Sequence, residues 1–118
     1  MRRTAIIASL IFGSYGSIAL SDEKADLADR IHSFVMERIP EYVASNESKV
    51  MAACIEWDEP YLHNVFSYRT DPNSDAPIFT SRLQQLAMLS CKRWAKSEKI
   101  DCTCQMLDKN GKNVLRVP

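Results

Sequence analysis

The sequence predicts an α+β domain in which an antiparallel sheet of about four strands packs against two helices. Apolar residues recur at helical spacing over residues 22–39 and again from residue 81 onward, which predicts the two helices. Alternating apolar residues elsewhere predict strands at residues 49–57, 64–69, 103–108 and 112–117. The order along the chain is therefore α-β-β-α-β-β.

The first helix is predicted from a single apolar stripe. Its members lie three or four residues apart, or side by side: Leu27, Ile31, Phe34, Val35 and Ile39. Asp22 and Glu23 complement the positive end of the helix dipole, and Pro40 ends the pattern. A short helical turn is expected over residues 40–45, because proline is tolerated at the first position of a helix.

The first predicted strand is apolar on both faces. Met51, Ala53, Ile55 and Trp57 alternate with Val50, Ala52 and Cys54. Residues 58–63 are expected to turn the chain into the second strand, and residues 70–77 are expected to form a loop because they are rich in proline, asparagine and aspartate. The pair Asn110-Gly111 predicts a hairpin between the last two strands.

The second helix is expected to begin near Thr80 or Ser81, where Ser81 and Gln84 have the spacing of a capping box. Its inward stripe is predicted to consist of Leu83, Leu86, Ala87, Ser90, Cys91 and Trp94. Basic residues crowd its end, namely Lys92, Arg93, Lys96 and Lys99. They complement the negative end of the helix dipole, and a partner-binding basic patch is the alternative interpretation.

The first 21 residues are typical of a secretory signal peptide. A basic head with Arg2 and Arg3 precedes an uncharged apolar run, and Ala19 and Ser21 fit the small-residue rule for cleavage before Asp22. The apolar run is shorter than the ~20 residues that a membrane span needs. We therefore expect a signal peptide over residues 1–21, one small domain over residues 22–118, and a periplasmic or secreted protein without membrane attachment after cleavage.

Composition limits the classes of partner. The predicted mature chain has 97 of the 118 residues, with 13 basic and 15 acidic side chains, because residues 1–21 contain two arginines and no acid. A nearly neutral chain has no overall field that would attract nucleic acid or an anionic membrane. A domain of this size buries a modest core, so the four cysteines of an exported chain are first interpreted as two disulfides.

No catalytic signature is present, and we expect neither an enzyme nor a cofactor. The acidic cluster Glu56, Asp58 and Glu59 beside Trp57 has no binding-loop pattern for calcium, so a solvated turn is the simpler interpretation. His63 is within no recognisable nucleophile motif. After residue 21 only Gly111 remains, which is too little glycine for a phosphate-binding loop.

Residues 82–115 resemble a pattern found in small secreted bacterial proteins of unknown function. Those proteins have a cysteine at a helix end, a second cysteine thirteen residues later, and an Asn-Gly or Asp-Gly turn seven residues beyond it. Here these positions are Cys91, Cys104 and Gly111, and the likeness extends over roughly residues 34–116. Cys54 and Cys102 are additional to the pattern. The resemblance implies a fold and a compartment and carries no activity.

The resemblance and the cysteine spacing together favour two structural disulfides. Cys102 and Cys104 lie two apart on a strand and share a face, so one reaches the helix and the other the neighbouring strand. We expect Cys91–Cys104 and Cys54–Cys102; the pairing Cys91–Cys102 with Cys54–Cys104 joins the same elements and stays open. A metal clamp would need further ligands, and His32 and His63 lack ligand spacing.

Two functions remain. The first is a non-enzymatic module that binds an unidentified exported protein partner, with the aromatic group Trp57, Tyr61, His63 and Tyr68 as its interaction surface. The second is a thiol-redox or metal-handling protein that uses Cys102 and Cys104. Paired cysteines favour the first function and free thiols the second.

Overall fold

The computed structural model describes residues 20–70 and 77–118. It contains three helices, α1 (Leu20–Arg38), α2 (Pro40–Ala44) and α3 (Pro77–Glu98), and four strands, β1 (Lys49–Glu56), β2 (Tyr61–Arg69), β3 (Thr103–Lys109) and β4 (Lys112–Asn113). The predicted signal peptide lies outside the described residues up to position 19, as does most of the predicted loop over residues 70–77.

The four strands form one antiparallel sheet in the order β2-β1-β3-β4. The predicted α+β class, the four strands and the order of elements are confirmed, with α2 as the short turn of helix expected after Pro40. β1 lies at the centre and pairs with β2 on one side and β3 on the other. The connections between sequential strands are therefore a hairpin, a helical crossover and a second hairpin.

The sheet has a hydrophobic core on each face. On one face, Met51, Ala53 and Ile55 of β1 pack against Ile31 and Val35 of α1 and against α2. On the other face the members are Val50, Ala52 and Cys54 from β1 and Leu83, Ala87, Cys91 and Ala95 from α3. The predicted division of β1 into two apolar faces is thus confirmed, and it accounts for six of the seven buried residues of this strand; the seventh is Lys49.

The inward face of α3 differs in part from the prediction. Its buried residues lie four apart, namely Leu83, Ala87, Cys91 and Ala95. The predicted member Leu86 falls outside this stripe and is 40% exposed, and Leu89 is 43% exposed. The helix also begins at Pro77, three to four residues earlier than expected, because proline is favourable in the first turn. Ser81 and Gln84 therefore lie inside the helix and do not cap it.

Two strand boundaries also differ from the prediction. β2 begins at Tyr61, because a bulge at His63 lets the ladder continue to the pairs Ile55–Leu62 and Glu56–Tyr61. β4 covers only Lys112 and Asn113. Beyond it the Val114 N–H still donates to Leu107 O at 3.0 Å, the Asn113 side chain accepts the Leu115 N–H at 2.9 Å, and Leu115 packs in the core.

Candidate functional site

All four cysteines are joined in the expected pairs. Cys54 bonds Cys102 with Cα atoms 5.4 Å apart, and Cys91 bonds Cys104 with Cα atoms 6.0 Å apart. The first bond ties β1 to the start of β3, and the second ties α3 to β3. Two disulfides are typical of an oxidising environment outside the cytoplasm.

The two bonds share one place between α3 and the sheet. Cys54 and Cys104 face each other in the β1–β3 register, and Cys91 is one of the inward residues of α3. The Cys54 and Cys91 side chains are fully buried, whereas those of Cys102 and Cys104 are partly exposed. Each disulfide therefore joins one fully buried residue to one that is partly exposed.

The four aromatic candidates do not form one surface. Trp57 packs against the core on the α1 side, and its indole N–H donates to Gln105 Oε1 at 2.8 Å. Tyr68 packs on the opposite face of the sheet, where its hydroxyl lies 2.5 Å from Ser90 Oγ of α3. Both side chains have partners inside the domain, which is the behaviour of residues that hold the fold together.

Tyr61 and His63 are brought together at the end of β2. Their ring centroids lie 4.6 Å apart in an edge-on arrangement, and His63 Nε2 lies 3.0 Å from Glu56 Oε1. The His63 side chain is 19% exposed and that of Glu56 is 47% exposed. This partly open pair of an imidazole and a carboxylate, with a phenol at its edge, offers hydrogen bonds and an apolar ring to a partner.

β2 is an edge strand, and its outer side has a distinct pattern of backbone groups. The Thr70 N–H donates to Ser48 O at 2.9 Å, and the register runs without interruption from there to Asn64. In an antiparallel pair, alternate residues face the partner, so Val65, Ser67 and Arg69 direct their backbone groups outward. The Asn64 side chain accepts the Val65 N–H at 2.9 Å, so among residues 20–70 and 77–118 the outward positions without a backbone partner are Ser67 and Arg69.

A buried carboxylate that was not among the predicted site residues accepts hydrogen bonds on the face of the sheet that α1 and α2 cover. Asp108 is fully buried, with Oδ1 2.6 Å from His32 Nε2. Oδ2 accepts the Tyr42 hydroxyl at 2.6 Å and the Gly111 N–H at 2.9 Å. One side chain thereby joins α1, α2, β3 and the hairpin turn, because its two oxygens offer lone pairs to several donors.

Lys49 is a second buried charge that sequence reasoning missed. Its ammonium donates to three backbone carbonyls at the end of α2, those of Tyr42 at 2.7 Å, Val43 at 3.0 Å and Ser45 at 2.8 Å. Its own backbone is bonded to Asn110 in both directions, at 2.8 and 2.9 Å. The side chain therefore supplies a donor to the carbonyls of Val43 and Ser45, adds a second donor to that of Tyr42, which also accepts the Ser45 N–H, and complements the negative end of the helix.

The Tyr42 phenol gives this network a dependence on alkaline pH. Burial, followed by the hydrogen bond to Asp108 and the charge of that carboxylate, raises the pKa of Tyr42 well above its ordinary value near 10, against a smaller opposite effect of Arg69. In the unfolded chain the phenol ionises above about pH 10, whereas in the folded chain it stays protonated. Its contribution to stability is therefore complete below about pH 10 and is lost as the pH rises further.

We expect Tyr42→Phe to lower the free energy of unfolding by about 2 kcal/mol at neutral pH, because it removes a hydrogen bond to a buried carboxylate. Above about pH 10 the wild-type protein should lose up to about 1.4 kcal/mol more per pH unit than the variant does. Urea unfolding between pH 7 and 11 measures both effects. Tyr61→Phe, which leaves the Asp108 contacts in place, should unfold with the same free energy as wild type at neutral pH. If the free energies of unfolding of wild type and Tyr42→Phe change with pH in parallel, the Tyr42 phenol does not cause the alkaline loss of stability.

None of the described helices is long and apolar enough to cross a membrane. No protein-family model matches the chain, and neither do the curated proteins or the solved structures compared with it.

Proposed function

We propose that this domain is a non-catalytic interaction module of an extracytoplasmic compartment, and that it binds an extended segment of another exported protein along the outer edge of β2. The observation that carries the proposal is the exposure of β2. None of its nine residues is buried, whereas seven of the eight residues of neighbouring β1 are. Within the described residues β2 pairs with β1 alone.

The open backbone groups suit strand addition. An extended peptide that joins a sheet edge gains main-chain hydrogen bonds, and its alternate side chains read the surface beside the edge. Ser67 and Arg69 point their N–H and C=O groups outward, and both are exposed. The Asn64 side chain covers the next outward donor, so a partner strand would be limited to this end of β2.

Side chains around the edge supply selectivity. Arg69 adds a positive charge beside the open backbone, which favours a partner segment with an acidic residue. Tyr61 and His63 stand at the other end of the strand and form the part of the predicted aromatic surface that remains partly open. Trp57 and Tyr68 are bound within the domain, so we assign them to stability and not to binding.

Two observations of different kinds support the proposed compartment. The disulfides are typical of an oxidising environment, and residues 1–21 have the layout of a secretory leader. Together they support a periplasmic or secreted location. All four cysteines being paired also favours the interaction module over a thiol-redox function of Cys102 and Cys104.

Ser67→Pro tests the proposal. Proline at this position removes an outward N–H and blocks a docking strand, yet it removes no bond to β1, because edge strands accept proline on their open side. We expect the variant to keep the wild-type melting temperature to within a few degrees and to bind partners from the exported protein fraction about tenfold more weakly or worse. Immobilised wild-type and variant domains are compared by quantitative mass spectrometry of the proteins they retain.

Ser67→Ala is the matched control, since it changes the same side chain and keeps the N–H. It should retain the same proteins as wild type. If Ser67→Pro retains them equally well, strand addition at β2 is wrong; if wild type retains nothing above a blank resin, the interaction module itself is contradicted.

A further inference from the structure

The disulfides are close enough for their sulfur atoms to form a single cluster. The Sγ atoms of Cys54, Cys91 and Cys102 all lie within 4.8 Å of one another. The fourth sulfur, of Cys104, is bonded to that of Cys91 at 2.03 Å. Three sulfurs, from α3, β1 and the residue before β3, therefore meet in one place, and the fourth, from β3, is bonded to one of them.

This spacing is close to that of a tetrahedral thiolate site. Zinc–sulfur bonds of about 2.3 Å in a tetrahedron place the sulfurs about 3.8 Å apart. Three of the sulfurs are already within 4.8 Å of one another, so side-chain rotations of modest size would bring them to that distance. No movement of the strands is needed, because Cys54 and Cys104 are cross-strand partners in the β1–β3 ladder.

The backbone that carries the sulfurs is held by contacts other than the disulfides. Leu83, Ala87 and Ala95 pack α3 onto the sheet, and the rings of Phe66 and Trp94 lie 5.8 Å apart between β2 and α3. β1 and β3 are joined by their own ladder. The arrangement of the four cysteines can therefore outlast the bonds between them.

We propose that the four cysteines form a zinc-binding site when both disulfides are reduced. The site is independent of the β2 edge and of the binding function proposed for it. Cys54, Cys91, Cys102 and Cys104 would each supply one thiolate, which completes the four-sulfur set that structural zinc sites use. The described residues offer no other group of three close metal-ligating side chains.

The partly exposed member of each pair is the one that a reductant approaches. A dithiol attacks the sulfur of Cys102 or Cys104, forms a mixed disulfide with it, and releases the buried partner, Cys54 or Cys91, as a thiolate. The second thiol of the reductant then breaks the mixed disulfide and leaves as a cyclic disulfide. Two dithiols thus supply the four electrons and four protons that reduce both bonds, and zinc binding displaces the thiol protons.

The test reduces the full mature chain with a metal-free phosphine, which is oxidised to its oxide, and titrates it with Co²⁺ and then Zn²⁺. We expect one Co²⁺ per chain with the visible absorption of tetrahedral thiolate coordination, and its complete displacement by Zn²⁺. Zinc should also raise the melting temperature of the reduced protein, because a ligand that binds the folded state stabilises it. The oxidised protein should bind neither metal.

Two pair variants serve as controls. Cys91→Ala/Cys104→Ala and Cys54→Ala/Cys102→Ala each keep two cysteines, and each should lose one-to-one Co²⁺ binding after reduction. The proposal is overturned if reduced wild type binds no metal against a competing chelator, or if either pair variant binds as well as wild type. It is equally overturned if zinc leaves the melting temperature of the reduced protein unchanged or lowers it, since metal would then bind only the unfolded chain.

Discussion

Replacing Asp108 by alanine is expected to lower the free energy of unfolding by about 3–5 kcal/mol, because the change strands the partners of a buried charge. The His32 imidazole, the Tyr42 hydroxyl and the Gly111 N–H all lose their acceptor, and a cavity replaces the carboxylate. Small domains have a total stability of about 5–15 kcal/mol, so the loss would be a large share. Urea unfolding with an unchanged slope would assign the effect to the folded state.

Asp108→Asn separates the cost of the lost acceptor from the cost of the cavity. The amide keeps the volume of the side chain but presents a donor where one of the contacts needs an acceptor, so we expect a smaller loss of about 2 kcal/mol. Asp101→Ala removes an exposed carboxylate a few residues away and should change stability by less than about 0.5 kcal/mol. A loss below 1 kcal/mol for Asp108→Ala would show that the network contributes little.

The overall fold could be predicted because local signals and burial agree. The alternation along β1 gives two apolar faces, and each face requires a covering helix, so the position of α1 and α3 on opposite sides follows from residues 50–55. The elements that the cysteines join could be predicted for a similar reason, whereas only the structure distinguishes the observed pairing from the crossed one. Cys102 and Cys104 share a strand face, and this face lies toward α3, where Cys91 points inward.

The Asp108 network could not be predicted because it depends on a bulge. Strict alternation would place Asp108 on the α3 face with Cys104 and Met106. The β1–β3 register shifts between the pairs Ala52–Met106 and Met51–Asp108, so Leu107 is the extra residue and Asp108 turns to the α1 face with it. Nothing in the local sequence signals this shift, since "QMLDKNG" has the ordinary composition of a strand followed by a turn.

The second bulge has the same consequence for the predicted aromatic surface. At His63 the β1–β2 register slips by one residue, and the strand continues to Tyr61 where a turn was predicted. This places Tyr61 and His63 together on the sheet, while Trp57 and Tyr68 lie on opposite faces. Composition correctly marked these side chains as aromatic and polar, but only the register determines which of them can reach one partner.

Removing the Cys54–Cys102 disulfide as a pair of alanines is expected to destabilise the domain more than removing Cys91–Cys104. The first bond closes a loop with a sequence separation of 48 residues and the second one of 13. On the chain-entropy estimate the losses are about 4 and about 3 kcal/mol, because a longer loop restricts the unfolded chain more. For a domain of this size either loss lowers the melting temperature by more than about 10 °C.

The comparison of the two pair variants tests the mechanism as well as the bonds. Both remove two sulfurs from the same cluster between α3 and the sheet, so the loss of packing is similar and the loop length is the main difference. Non-reducing digestion and mass spectrometry should find the Cys54–Cys102 bond in the Cys91→Ala/Cys104→Ala variant and the Cys91–Cys104 bond in the Cys54→Ala/Cys102→Ala variant. If the order of the two melting temperatures is inverted, strain or packing at the cluster outweighs chain entropy; if neither variant differs from wild type, the disulfides do not stabilise this fold. If the disulfides act as expected, reducing both bonds of the wild-type protein without zinc should lower its melting temperature by more than the loss of either bond does in a pair variant, because both loops are released at once.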